Sequence, residues 1–248
     1  MKKIVRKISL VLSIVMLLGF CVSCNKEEPQ VDEPVEPVQE EIDPEVLKAE
    51  QERKAAEERE ALLASINPEE KINDKAPFYI KVNRLANCVT IYTLDSDMEY
   101  TIPVKAMICS AGKEGHESPL GDYEITTVRP RWCYMVDGSY GQYCSGWKKG
   151  GYLFHSVCYS KQKEDSLIVK EYNDLGTNAS LGCIRLQVID AKWIFDNCMI
   201  GTPVTIYEDE NPGPLGKPEK VIAFIDENMD NGWDPTDPSE DNPWRTMQ

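Results

Sequence analysis

Residues 180–186 read Ser180-Leu181-Gly182-Cys183-Ile184-Arg185-Leu186, and residues 151–156 read Gly151-Tyr152-Leu153-Phe154-His155-Ser156. A glycine directly before a cysteine lets the backbone approach closely, so consecutive N–H groups can converge on one oxygen. That is the arrangement an oxyanion requires when a thiolate attacks a carbonyl. A thiol used in this way also needs a base within hydrogen-bond reach. The chain has only two histidines. His116 lies in the polar stretch Gly115-His116-Glu117-Ser118, where it is expected to be solvated. His155 ends an apolar strand that can hold an imidazole rigidly, and it is the better candidate. Taken alone, a Gly-Cys pair with a distant histidine suits a buried structural pair more often than a catalytic one.

Around these residues the chain is β-rich. Phe78–Val82, Cys88–Tyr92, Tyr100–Ser110, Gly121–Val128, Arg131–Val136, Gln142–Trp147 and Gly151–His155 are short runs separated by Asn, Asp and Ser turns. Their spacing predicts a mainly β domain, an antiparallel sandwich or barrel. Residues 161–175 are polar, with short helices expected near Asp165 and Asp174. Asp190–Asn197 reads as a helix with Asp190 as its N-cap and Ile194 facing inward. Gly201-Thr202 stops it, and Pro203–Tyr207 returns as a final strand.

The flanks differ in charge. Residues 25–75 carry a net −10 and residues 209–248 carry −7, whereas residues 76–208 carry only −2. A solvated linker explains such acidity more simply than a specific partner does. No basic stripe is present, which argues against nucleic acid as a ligand. Residues 1–24 join a Lys/Arg-rich start to an apolar run from Ile8 to Val22, a secretion signal by pattern, ending at Cys24. Residues 25–76 read as an acidic Pro/Glu-rich tether followed by an Ala-rich helical stalk from Glu45 to Ser65. In the Pro-rich tail, 209–248, Val221–Ile225 can add an edge strand. Trp233 and Trp244 predict that this tail lies partly against the domain, because aromatic burial is favourable.

The motifs over residues 77–208 resemble the L,D-transpeptidase family, the YkuD-type catalytic domain. His155-Ser156 followed by Ser180-Leu181-Gly182-Cys183-Ile184-Arg185 is similar to its signature. Ser118-Pro119-Leu120-Gly121, Asp190-Ala191-Lys192-Trp193 and Gly201–Ile206 resemble the family's turn, closing helix and closing strand. Leu181 stands where many members carry a second histidine, and the interval from His155 to Ser180 is longer than usual. A polar excursion over residues 159–172, beside or over the site, accounts for the extra length. The resemblance implies a YkuD-like β-sandwich or barrel with one or two short helices, behind a disordered and helical stalk.

It also implies a chemistry. Cys183, as thiolate, attacks a carbonyl of a peptidoglycan stem peptide, with His155 as base and the Ser156 backbone carbonyl orienting the ring. Amides of Gly182 and Cys183, with Leu181, hold the oxyanion. Ser180 is expected to fix the loop, and Arg185 either to make a structural ion pair or to hold a substrate carboxylate. The product is a cross-link formed through a cysteinyl thioester. An L,D-carboxypeptidase, or a wall-binding lipoprotein without turnover, are the alternatives. The end of the signal, Cys21-Val22-Ser23-Cys24, resembles a lipobox with Cys21 in place of the usual leucine, which implies lipidation of Cys24 and a membrane anchor. An uncleaved anchor or an ordinary secretion signal are the alternatives, and all three imply a place outside the cytoplasm at the cell wall.

Cys21 would leave with the signal, and the remaining cysteines, Cys88, Cys109, Cys133, Cys144, Cys158 and Cys198, are even in number. Export permits disulfides among them, and buried free thiols are the equal alternative. Only Cys133 and Cys144 have local support as a pair, across an Asp137-Gly138 turn. No metal or other cofactor is implied, since neither cysteine nor histidine spacing suits zinc. Trp132, Tyr134, Tyr140, Tyr143 and Trp147 either line a donor cleft or pack on a sheet face.

Overall fold

The computed structural model describes residues 43–128, 130–222 and 232–246. The signal, Cys24, most of the tether, and residues 223–225 of the expected edge strand lie outside them; Val221 and Ile222 are not in a strand. Helix α1 (Pro44–Ser65) matches the expected stalk helix and buries none of its residues. Pro44 suits its first turn, where the missing N–H has no intrahelical partner to lose. Leu62 and Leu63 near its end, with the following Ile66, pack against the core.

Among the described residues eleven strands follow: β1 (Phe78–Asn83), β2 (Cys88–Thr93), β3 (Ile102–Ser110), β4 (Gly121–Glu124), β5 (Thr127–Val128), β6 (Trp132–Tyr134), β7 (Tyr140–Gln142), β8 (Ser145–Lys148), β9 (Tyr152–Ser156), β10 (Ile184–Leu186) and β11 (Pro203–Tyr207). The helices α2 (Val169–Asn173) and α3 (Val188–Asn197) lie among them, with a short 3-10 turn at Glu164–Ser166. Nine strands form one sheet in the order β4-β11-β1-β2-β3-β10-β9-β8-β5, and β6 and β7 form a separate ribbon. β1 shows why these segments pair: Phe78, Ile80 and Val82 are buried while Tyr79 and Lys81 are partly exposed, the period-two pattern of a pleated strand.

Two features depart from the antiparallel expectation. β1 pairs with β11 in parallel, and β9 pairs with β10 in parallel. Such pairs need long crossover connections, which local turn signals do not reveal. The run expected at 121–128 is also broken, and the break closes the sheet. β4 pairs with β11 at one edge and β5 with β8 at the other. Between them, Ile125 N–H donates to Thr202 O (2.8 Å) and Thr126 N–H to Gly146 O (2.7 Å). A single extended segment therefore serves both edges, curling the sheet so that neither edge is left open there.

The enclosed core includes Ile80, Val82, Ile91, Met107, Phe154, Ile184, Leu186 and Val204, with Ala191 and Ile194 of α3 packed on it. Each such large side chain contributes about 1.5–3 kcal/mol. Exposed ion pairs such as Lys48–Glu52 contribute about 0–1 kcal/mol, so burial decides the fold. α3 begins at Val188, two residues before the expected cap. Asp190 instead sits buried in the first turn and pairs with Lys105 at 3.1 Å. The capping groups come from far along the chain: Val188 N–H donates to Asp234 Oδ2 (3.0 Å) and Ile189 N–H to Thr236 Oγ1 (3.1 Å). The C-terminal segment 232–246 does lie against the domain, with Trp244 buried and Trp233 partly buried on the core.

Candidate active site

The parallel ladder of β9 and β10 places Arg185 beside His155, with Ile184 beside Phe154 and Leu186 beside Ser156. Alternate residues of a strand share a face. Phe154, Ile184 and Leu186 accordingly enter the core, while Leu153, His155, Cys183 and Arg185 line one cavity on the other side. The cavity has a volume of about 210 Å³, and its opposite wall is the β6–β7 ribbon, through Cys133, Tyr134, Met135, Val136 and Asp137. Folding therefore brings the two best sequence candidates, His155 and Cys183, into one pocket. His116 stays exposed on its loop.

His155 is almost fully buried, and its Nδ1 lies 2.6 Å from the carbonyl oxygen of Ser156. A carbonyl only accepts, so Nδ1 carries the proton and Nε2 keeps its lone pair. Burial, aided by the Arg185 guanidinium, lowers the imidazole pKa to about 3. The ring is thus neutral at neutral pH, the form that can accept a proton. Ser156 is anchored in turn: its hydroxyl donates to Val157 O (2.8 Å) and accepts from Gln142 N–H (2.9 Å).

The cysteine loop is held from inside and from a neighbouring loop. Ser180 Oγ donates to Cys183 O (2.6 Å) and accepts from Gly182 N–H (3.0 Å). Ser118 Oγ donates to Gly182 O (2.9 Å) and accepts from Gly112 N–H (3.0 Å). Gly182 has φ +112°, and a Cβ there would meet the Tyr152 ring at 2.9 Å, so only glycine fits. Cys183 Sγ lies 3.6 Å from Gly151 O. Because the Gly182 amide is bonded to Ser180 Oγ, this expected oxyanion donor is committed to the loop in this conformation.

A profile described as the L,D-transpeptidase catalytic domain, YkuD, matches residues 77–206. The chain belongs to the L,D-transpeptidase family. The Bacillus subtilis (strain 168) protein YciB, named as an L,D-transpeptidase, is 38% identical over 91 residues, covering 36% of this chain and 46% of YciB. The chain thus aligns with less than half the length of that curated relative. Among solved structures, an L,D-transpeptidase from Mycobacterium smegmatis is 19% identical, with a TM-score of 0.42, over 53% of this chain and 58% of that one. One from Mycobacterium tuberculosis H37Rv is 20% identical with a TM-score of 0.42, over 53% and 58%.

In this L,D-transpeptidase domain Arg185 is an ion-pairing residue. Its buried guanidinium pairs with Glu171 of α2, lies 3.8 Å from Asp137 of the ribbon, and reaches Ala179 O at 3.5 Å. The excursion after Tyr159 thereby sits beside the site, because Glu171 belongs to it. Cys158 also lines the cavity, but burial pushes its thiol up to about 11, which keeps it protonated at neutral pH. Cys88, Cys109, Cys158 and Cys198 are buried free thiols. Cys133 and Cys183 pack against a small cluster of Met135, Cys144 and Leu153.

Of the aromatic group, only Tyr134 lines the cavity. Trp132 packs on Tyr159, Tyr143 on Phe195, and fully buried Trp147 on Tyr123, Tyr152 and Phe154, as sheet packing requires. Among the described residues no three His, Cys, Asp or Glu side chains gather as a metal set. Sequence reading missed Ser118, Asp137, Gly141 and Glu171. A Cβ on Gly141 would lie 2.8 Å from His155 Nδ1, so its bareness makes room for the imidazole. Only the Ser118 turn carried a sequence signal, its likeness to a family motif; the others are defined by contacts across the fold.

Proposed function

We propose that this chain is an exported peptidoglycan L,D-transpeptidase that forms cross-links between stem peptides through a thioester on Cys183. The observation that supports it most is that a buried, neutral imidazole, with its Nδ1 proton spent on Ser156 O, shares its cavity with Cys183. Cys183 Sγ attacks the carbonyl that precedes the terminal D-Ala of a stem tetrapeptide, and its proton passes to His155 Nε2. The oxyanion falls to amides of the Leu181–Cys183 loop; Gly182 joins only by leaving Ser180 Oγ. As the intermediate collapses, His155 returns the proton to the departing D-Ala amine. A side-chain amine of a second stem then attacks the thioester, gives its proton to Nε2, and regenerates the thiol as the amide forms. Arg185, tied to Glu171 and Asp137, keeps the cysteine strand against the ribbon.

Incubation with a carbapenem followed by mass spectrometry tests the reading. The expected result is a covalent adduct on Cys183 that is absent from Cys183→Ala. An unmodified protein would instead point to a wall-binding domain without turnover. Muropeptide analysis separates the products: tripeptides released without new cross-links would indicate a carboxypeptidase. Membrane attachment through a lipid on Cys24 belongs to the same proposal, and metabolic palmitate labelling that persists in Cys24→Ala would rule it out.

A further inference from the structure

The wall that supports His155 belongs to the two-stranded ribbon, outside the main sheet's ladder. β7 has only three residues and pairs with β6 in the separate ribbon. It runs through Tyr143 and Cys144 into β8, Gln142 N–H bonds Ser156 Oγ of β9, and Tyr140 bridges Tyr159 beyond β9. Yet this strand sets the ring: Gly141 abuts the imidazole, and Gln142 N–H bonds the hydroxyl of Ser156, whose carbonyl takes the Nδ1 proton.

Gln142 is fully buried and uses both ends of its side chain. Its Oε1 accepts from Arg131 Nε (3.1 Å) and a terminal nitrogen (2.9 Å), and its Nε2 donates to Asp237 Oδ2 (3.1 Å). Asp237 lies beyond the family-matched residues, in the C-terminal segment, and is almost fully buried. It is held from several sides. Ser239 N–H donates to its Oδ1 (2.9 Å), and Asn242 Nδ2 donates to its carbonyl (2.8 Å) and to Asp234 O (3.0 Å). Asp234 caps α3, and Leu167 N–H donates to Gly232 O at 2.6 Å. A segment this fully bonded is a strap, and the carboxylate it delivers meets the one strand that backs the imidazole.

We propose that Asp237 is a positioning residue for His155, acting through Gln142 to hold β7 against the ring, so that the C-terminal strap belongs to the reacting apparatus. The proposal rests on the assignment of His155 as the base, and its test has a readout independent of turnover. In the full chain, Asp237→Ala is compared with wild type by the rate of carbapenem acylation at Cys183, by the His155 Nδ1–H proton resonance, and by thermal melting. At a temperature where both are folded, the variant is expected to acylate at least about tenfold more slowly and to lose or shift that resonance. In a Gln142→Met background the same change is expected to add nothing, because the link is already cut. An acylation rate within twofold of wild type with an unmoved resonance, or an equal loss in both backgrounds, would overturn the proposal. If Asp237→Ala melts below the assay temperature, Asp237→Leu, which fills a similar volume and offers Gln142 Nε2 no acceptor, is judged by the same criteria. If wild type forms no adduct, the transpeptidase reading fails, and the resonance alone still decides whether Asp237 positions the ring.

Discussion

His155 gives its Nδ1 proton to the carbonyl of its own successor, Ser156, over 2.6 Å. The two residues are adjacent in a strand whose partner, β10, carries Cys183 at its entry. This bond fixes the tautomer, and burial fixes the charge. On the proposed mechanism, Cys183→Ser should abolish turnover, because a serine hydroxyl is far less acidic than a thiol. His155→Ala should slow acylation at least about a hundredfold, the usual scale for a positioned base. Stopped-flow measurement of carbapenem acylation checks both, and full activity in either variant would refute the assignment.

The pH dependence follows from the same burial. The imidazole pKa is about 3 in the fold, against about 6.5 in an unfolded chain. As pH falls below 6.5 the unfolded chain takes the proton first. The stability contributed by this group is therefore complete above 6.5 and is lost progressively toward pH 3. Between pH 8 and 5 the loss from this group is about 2 kcal/mol. Asp234, whose buried carboxyl is raised to about 6, gains stability over the same window. The His155 share is therefore read as the difference between wild type and His155→Gln in urea unfolding at the two pH values. Acylation, likewise, should have no acid limb from His155 between pH 5 and 7.

Gly141→Ala tests how closely the ring is held. The added Cβ would stand 2.6 Å from Met135 Cε and 2.8 Å from His155 Nδ1. Overpacking of this kind costs about 1–3 kcal/mol, and a displaced base converts about 1.4 kcal/mol into a tenfold loss of rate. Acylation slowed about tenfold or more in a folded protein is expected. An unchanged rate would show that the ribbon yields without moving the imidazole.

Asp234→Ala should remove the cap of α3, since Asp234 Oδ2 accepts the Val188 N–H. Loss of such a cap costs about 1–2 kcal/mol. Calorimetry should record a melting temperature lower by about 2–8 °C, and no change would mean that Thr236 and water suffice at the helix start.

The site was readable where chemistry is local. A glycine before Cys183, a histidine ending an apolar strand and a serine three residues before the cysteine each carry their signal in the sequence. Ser180 Oγ bonds Gly182 N–H and Cys183 O within the same loop. Asp190 was misread as a helix cap because capping propensity is a local statement. The groups that bond the α3 amides, Asp234 and Thr236, come from the far end of the chain. Asp137 and Glu171 gave no signal, because a carboxylate means nothing until a buried guanidinium such as Arg185 lies beside it.

The sequence by itself determined the alternating strands, the glycine at the one loop position where a side chain would strike Tyr152, and the kinds of reactive group present. Only the tertiary structure decided that β9 and β10 run in parallel, that one segment joins both sheet edges, and that a C-terminal strap backs the histidine wall. The physical reason is range. Backbone preference and side-chain chemistry are set within a few residues, whereas register and pairing are set by the burial gained when distant segments meet.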